Sequence, residues 1–194
     1  MKKLITIFCL STIFFACKEQ VNNSEEHQHQ DVNEAEENRT VKKPLSPHTS
    51  TMAMIGDAHI HIDYSSPGVR GRIIFGGLLA YDQVWQAGAH MATWIETNRD
   101  LIIESKILPA GKYGFFTIPS KDEWTIIINK NWDQHGKDEY DEKDDVIRFK
   151  VKPALLNESV EHLEYKVSKT DNQNGSISLT WEKVRIEFQF EIKR

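Results

Sequence analysis

The sequence predicts an all-β domain: one antiparallel β-sandwich or barrel of about nine short strands, broken by a single long, irregular, glycine-rich insertion. Three observations predict it. Runs with period-two alternation of apolar and polar residues recur from Ala58 to the C-terminus, and such alternation marks half-buried strands. Turn chemistry separates these runs, as at Pro109-Ala110-Gly111 and Asp171-Asn172-Gln173-Asn174-Gly175, where proline presets φ and Gly, Asn and Asp tolerate tight turns. No long stretch places apolar residues at the three-and-four spacing of an amphipathic helix.

Taken in order, the chain starts with an address rather than a fold. Lys2 and Lys3 precede an apolar run over residues 4–15, shorter than the ~20 residues a membrane span needs. Residues 1–16 therefore read as a signal peptide. Phe14-Phe15-Ala16-Cys17 resembles a bacterial lipobox. That resemblance implies cleavage before Cys17, lipid on Cys17, and attachment to a membrane, since each buried CH₂ contributes ~0.8 kcal/mol. Lys18-Glu19 resembles the surface-export signals of some Gram-negative lipoproteins, which points to an outward-facing domain; the expected location is the outer membrane of a Gram-negative envelope. Residues 17–50 are rich in Glu, Asn, Gln and His and poor in large apolar side chains. Such a composition cannot offset the entropy of ordering, and it reads as a disordered tether. His27 and His29 lie within it.

The β-rich domain is expected over residues 51–194. Ala58, Ile60, Ile62 and Tyr64 alternate with His59, His61 and Asp63 to make its first clear strand. Strands follow at 93–96, 101–104, 106–108, 112–118, 124–129, 146–151, 160–167, 176–181 and 184–192. The apolar run at 124–129 is expected to be buried on both faces. Residues 152–156, or part of the insertion, are candidates for one helical turn. The polar loop at 131–144 separates two of the strands. Its end and the first strand residues, 137–145, carry six acids in nine residues, without the spacing of a calcium loop. Trp132 in this loop is expected to be exposed, and Trp124 to be core. The only cysteines are Cys9 and Cys17, so the domain has no disulfide, no thiol nucleophile and no thiolate for zinc. A net charge of −5 argues against a nucleic-acid surface, which is normally basic.

The insertion at 64–93 organises the rest. It holds five glycines, Arg70, Arg72, Tyr64, Tyr81, Trp85 and His90, and long irregular segments inside compact domains are frequently functional. Its run of Tyr64-Ser65, Pro67, Arg70-Gly71-Arg72, Ile74-Phe75-Gly76, Tyr81, Val84-Trp85, Gly88-Ala89 and Ala92-Thr93 resembles the family called domain of unknown function 2911. The later Leu108-Pro109-Ala110-Gly111, Tyr113, Phe116-Thr117-Ile118-Pro119 and Asp122-Glu123-Trp124 resemble it too. The resemblance spans nearly the whole domain and implies an exported envelope protein of one β-rich domain, with no activity to carry over. The chain departs from the family pattern at Ser66 and Gln86, where arginine is common, and at Ala80, Asp82 and His90, where proline, glycine and asparagine are.

Two constellations carry possible chemistry. Arg70, Arg72, Tyr81, Trp85 and His90, with Tyr64, are candidates for a pocket in which arginine forks bind an anion between aromatic walls. The bland alternative is that the arginines pin an irregular loop through its carbonyls, which need partners if buried. His59 and His61 point the same way from one strand, ~7 Å apart, as two ligands of one divalent metal would; two histidines on a solvated face are the alternative, and no cofactor is expected. Asp57-Ala58-His59-Ile60-His61 resembles an amidohydrolase metal motif, but that family needs a barrel of ~250 residues. The functional expectation is a non-catalytic binding or accessory module for a small polar ligand, glycan or envelope partner. A hydrolase with His90 as base and Arg70 or Arg72 as anion clamp is the alternative, and a purely structural component the third.

Overall fold

The computed structural model describes residues 44–194. The signal segment 1–16, Cys17, and the tether as far as residue 43, including His27 and His29, lie outside the described residues.

Two antiparallel sheets form an open sandwich. In chain order the strands are β1 (His48–Ile55), β2 (Ala58–Ser65), β3 (Trp94–Thr97), β4 (Leu101–Ile103), β5 (Lys106–Leu108), β6 (Gly111–Ile118), β7 (Trp124–Asn129), β8 (Asp145–Val151), β9 (Ala154–Lys169) and β10 (Asn174–Ile192). The larger sheet has the order β1-β2-β3-β6-β7-β8 and the smaller β5-β4-β10-β9. The predicted all-β fold is therefore correct, with a sandwich rather than a closed barrel. Among the described residues no helix is long and apolar enough to cross a membrane.

Alternation decides which side chains enter the core. Ala58, Ile60 and Ile62 of β2 are fully buried, while His59, His61 and Asp63 between them stay half-exposed on the outer face. Ile126, Ile127 and Ile128 of β7 are all fully buried. Even indices face the sandwich interior; Ile127 instead joins Ala92 and Phe116 in a small second cluster on the outside, roofed by Val84, Ile118 and Tyr140. Loops thus cover one half of the outer face of the large sheet. The half formed by β1, β2 and β3 keeps Met52 and Met54 exposed.

Several element boundaries differ from the sequence expectation, each for a local reason. β1 starts at His48, three residues before the expected start of the domain, because His48 to Ile55 pair without interruption with β2. Residues 152–156 do not make a helical turn. Lys152 precedes Pro153, which disfavours helical backbone at that position, and β9 runs from Ala154. The two expected strands at 176–181 and 184–192 are one strand, β10, kinked at Glu182, whose φ is +54°. A bulge there bends the strand and interrupts the alternation without ending the pairing. The insertion has no helical turn, and the described chain's helical element is a single 3-10 turn at Glu142–Asp144.

Candidate functional site

The irregular segment is built onto edges that the strands leave open. β3 pairs with β6 only as far as Trp94 opposite Gly114. Beyond that point the edge of β6 is completed by the insertion: the Phe115 amide donates to the Thr93 carbonyl, Trp85 and Thr117 exchange both backbone bonds, and the Asp82 amide donates to Pro119. The edge of β9 is treated in the same way. The Val69 amide donates to Glu161, the Leu163 amide to Pro67, and the Ser66 hydroxyl to the Leu163 carbonyl at 2.7 Å. Buried backbone must find partners, and these bonds let a segment without period lie inside the domain.

Its apolar side chains close one end of the sandwich. Phe75 meets the Trp124 ring edge-on at 4.9 Å, and Trp85 stacks on Trp181 at 5.8 Å. Tyr81 packs over Gly76, where a Cβ would stand 2.6 Å from the ring; Gly76 also has a φ of +85°. The segment is strained elsewhere. Arg70, Asp82, Ala87 and His90 all take positive φ between +50° and +62°, a region unfavourable to residues with a Cβ. Such outliers persist where surrounding structure over-determines them, and they concentrate at functional sites.

The sequence-predicted residues divide between structural and open positions. Arg72 is half-buried, and its Nε and Nη2 donate to the carbonyls of Val69 and Gly68 at 3.0 and 2.6 Å. The Trp85 ring is buried and its Nε1–H donates to the Gly88 carbonyl at 3.0 Å. These are pinning bonds. Arg70 differs: its backbone amide donates to Glu161 Oε1 at 2.9 Å, while its exposed guanidinium meets no acceptor among the described residues. Arg70, Arg72, Gln86, His90 and Trp85 line one open cleft of about 310 Å³, floored by Leu79 and Trp181. The Gln86 and His90 side chains likewise meet no partner among the described residues. A neighbouring depression shares Leu79, Trp85 and Gln86 and adds Lys137.

Tyr64 and Tyr81 are not on this cleft. Tyr64 is buried, and its hydroxyl accepts from the Tyr165 amide at 3.3 Å. Tyr165 donates its own hydroxyl to the Ala87 carbonyl at 2.7 Å. Burial holds the ionisation of Tyr64 above the ordinary phenol range and that of Tyr165 well above it, because desolvation penalises the phenolate. Gln86 and Trp181 are site residues that the sequence pattern does not mark. Gln86 stands out only as a departure from the family pattern, and Trp181 reaches the cleft from β10, a contact no local pattern encodes.

His59 and His61 do point to the same face, with ring centroids 6.0 Å apart. The His61 ring lies edge-on to Trp94 at 4.9 Å, and its Nε2 is buried with no hydrogen-bond partner. Among the described residues no three His, Cys, Asp or Glu side chains gather to hold a metal ion. The acid-rich loop is anchored rather than free. Buried Asn129 donates Nδ2 to the Asp141 carbonyl and to Asp145, and the Tyr140 hydroxyl also bonds Asp145.

Comparison with known proteins adds one finding. The family model described as "Protein of unknown function (DUF2911)" matches residues 46–190. Neither the curated proteins nor the solved structures yielded a match.

Proposed function

The chain belongs to the DUF2911 family, and because that family is described only by its unknown function, we propose a function from the geometry of the chain itself: a non-catalytic binding module that takes a small anionic ligand in the cleft of the irregular segment. One observation carries this reading. The Arg70 guanidinium stands on a cleft of about 310 Å³ with no acceptor of its own among the described residues, beside the Gln86 and His90 side chains, which likewise meet no partner there. A guanidinium offers a planar fork that matches a carboxylate, phosphate or sulfate. The apolar floor of Leu79, Trp85 and Trp181 suits a ligand with one apolar face. Arg72, fixed by two carbonyls, lines the same cleft.

Attachment to the cell envelope through lipid on Cys17 is part of the same proposal, supported by the sequence of residues 1–17. A hydrolase is the second reading, favoured by Ser46 and His90 lining one cleft. The test is calorimetric titration of acetate, benzoate, phosphate and sulfate into the wild type and Arg70→Ala. Binding of one of these anions that disappears in Arg70→Ala with an unchanged melt supports the module. Binding that survives the substitution, or no binding of any anion, refutes it. Turnover of an ester that is lost in Ser46→Ala would favour the hydrolase.

A further inference from the structure

The open half of the large sheet carries a feature unrelated to the arginine cleft. Trp94 of β3 stands on the outer face, opposite Asp63 of β2 and Gly114 of β6. Gly114 lets the following loop cross the sheet: a Cβ there would lie 2.8 Å from the Asn131 carbonyl and 3.3 Å from the Trp132 Cα. The close crossing sets Trp132 beside Trp94, with ring centroids 6.5 Å apart at 69°. Between them lies the ammonium of Lys112, 3.6 Å from both ring centroids.

Lys112 has an alternative. It sits directly opposite Glu96 in the β3–β6 register, yet no carboxylate is within ion-pair distance of it among the described residues, and its charge rests on the two indoles. A cation over an aromatic face is attracted by the ring quadrupole, most strongly for tryptophan. Beside the pair lies a separate cleft of about 170 Å³ lined by Asp63, Asp133, Met91, His48 and the same two tryptophans. A cavity of about 150 Å³ suffices for a ligand the size of benzene. Asp63 is paired through one oxygen with His48 Nε2 at 2.8 Å, and among the described residues its other oxygen and the Asp133 carboxylate have no partner. The cleft is thus aromatic and acidic, while the proposed anion cleft is aromatic and basic.

We propose that this face is a second binding site, for the alkylammonium head of a small organic cation, and that Lys112 is its built-in place-holder. The ligand's cation replaces the Lys112 ammonium on the Trp94 and Trp132 rings, and its body fills the cleft against Met91, with Asp63 and Asp133 as counter-charges. Lys112 then swings out toward Glu96 and solvent. Because Lys112 is tethered, it competes at a high local concentration, so the wild-type affinity for a small cation is masked.

The test titrates choline into the full chain, followed by tryptophan fluorescence and calorimetry, with its neutral isostere 3,3-dimethylbutanol as control. Lys112→Met keeps the stem and removes the charge, and should bind choline on the order of tenfold more tightly than the wild type, the strength of a partly desolvated cation–π contact. Lys112→Gln serves the same purpose if methionine alters the melt. Trp132→Ala should lose choline binding, and Arg70→Ala should retain it, which separates this site from the arginine cleft. Free choline is compared with choline displayed on phosphatidylcholine vesicles; binding of either meets the proposal, and the stronger one names the source as soluble cation or lipid headgroup. The proposal is overturned if neither lysine variant binds choline more tightly than the wild type, if the neutral isostere binds as well as choline, or if Trp132→Ala binds unchanged.

Discussion

Replacing Arg72 by alanine should destabilise the protein far more than replacing Arg70, although both arginines stand on the same cleft. Arg72 donates to the Val69 and Gly68 carbonyls at 3.0 and 2.6 Å. A hydrogen bond from a charged group is worth about 1.5–3 kcal/mol net. Arg72 is half-buried, so the lower end applies, and the two bonds together give about 3 kcal/mol. For a domain of this size each kcal/mol moves the midpoint by about 2–4 °C, so the melt should fall by about 6–12 °C. Arg70→Ala removes an exposed side chain that has no partner among the described residues and should stay within about 0.5 kcal/mol of the wild type. Scanning calorimetry on both variants decides the matter. Hydrogen exchange gives the location: the amides of Val69 and Leu163, which tie the pinned turn to β9, should exchange faster in Arg72→Ala. An Arg72→Ala melt close to that of the wild type would refute the pinning argument, and so would an Arg70→Ala melt as low as that of Arg72→Ala.

Further outcomes follow from the same geometry. Asn129→Ala removes the bonds to the Asp141 carbonyl, to Asp145 and from the Asn131 amide; it should cost about 3 kcal/mol in denaturant titration and expose the 131–144 loop to limited proteolysis. Gly114→Ala places a Cβ 2.7 Å from the Phe116 ring and 2.8 Å from the Asn131 carbonyl, so about 1–3 kcal/mol of overpacking should come with a change in tryptophan emission as Trp132 leaves Trp94. Stability should also fall in alkali. The Tyr165 phenol is raised by burial above its unfolded value of 10.0, so between the two values the native state binds more protons than the unfolded chain, and stability drops as pH rises. Denaturant midpoints should hold below pH ~10 and decline above it, with a shallower decline in Tyr165→Phe; an equal slope in that variant would rule Tyr165 out as a contributor.

The fold was legible because strands write themselves locally. The alternation of Ala58, Ile60 and Ile62 against His59, His61 and Asp63, and the run at 124–129, identify faces that burial then confirms. The misread boundaries lie where a distant partner overrides local preference. Glu182 adopts a strained bulge inside β10 because β9 pairs on both sides of it, and residues after Pro153 extend because β10 accepts them.

The candidate site was legible only as a list. Composition and short-range spacing suffice for the fold class, the family motifs, and the collection of Arg70, Arg72, Trp85 and His90 in one aperiodic segment. Long-range packing makes Arg72 pin carbonyls while Arg70 stands open. The same packing puts Tyr64 in the core, sets Trp181 under the cleft, and closes Trp94 and Trp132 on Lys112. Each of those outcomes depends on which strand edge lacks a partner and which loop must cross it. Hydrogen-bond satisfaction of buried backbone is a property of the assembled sheets, and it decides which side chains hold the loop and which remain available to a ligand.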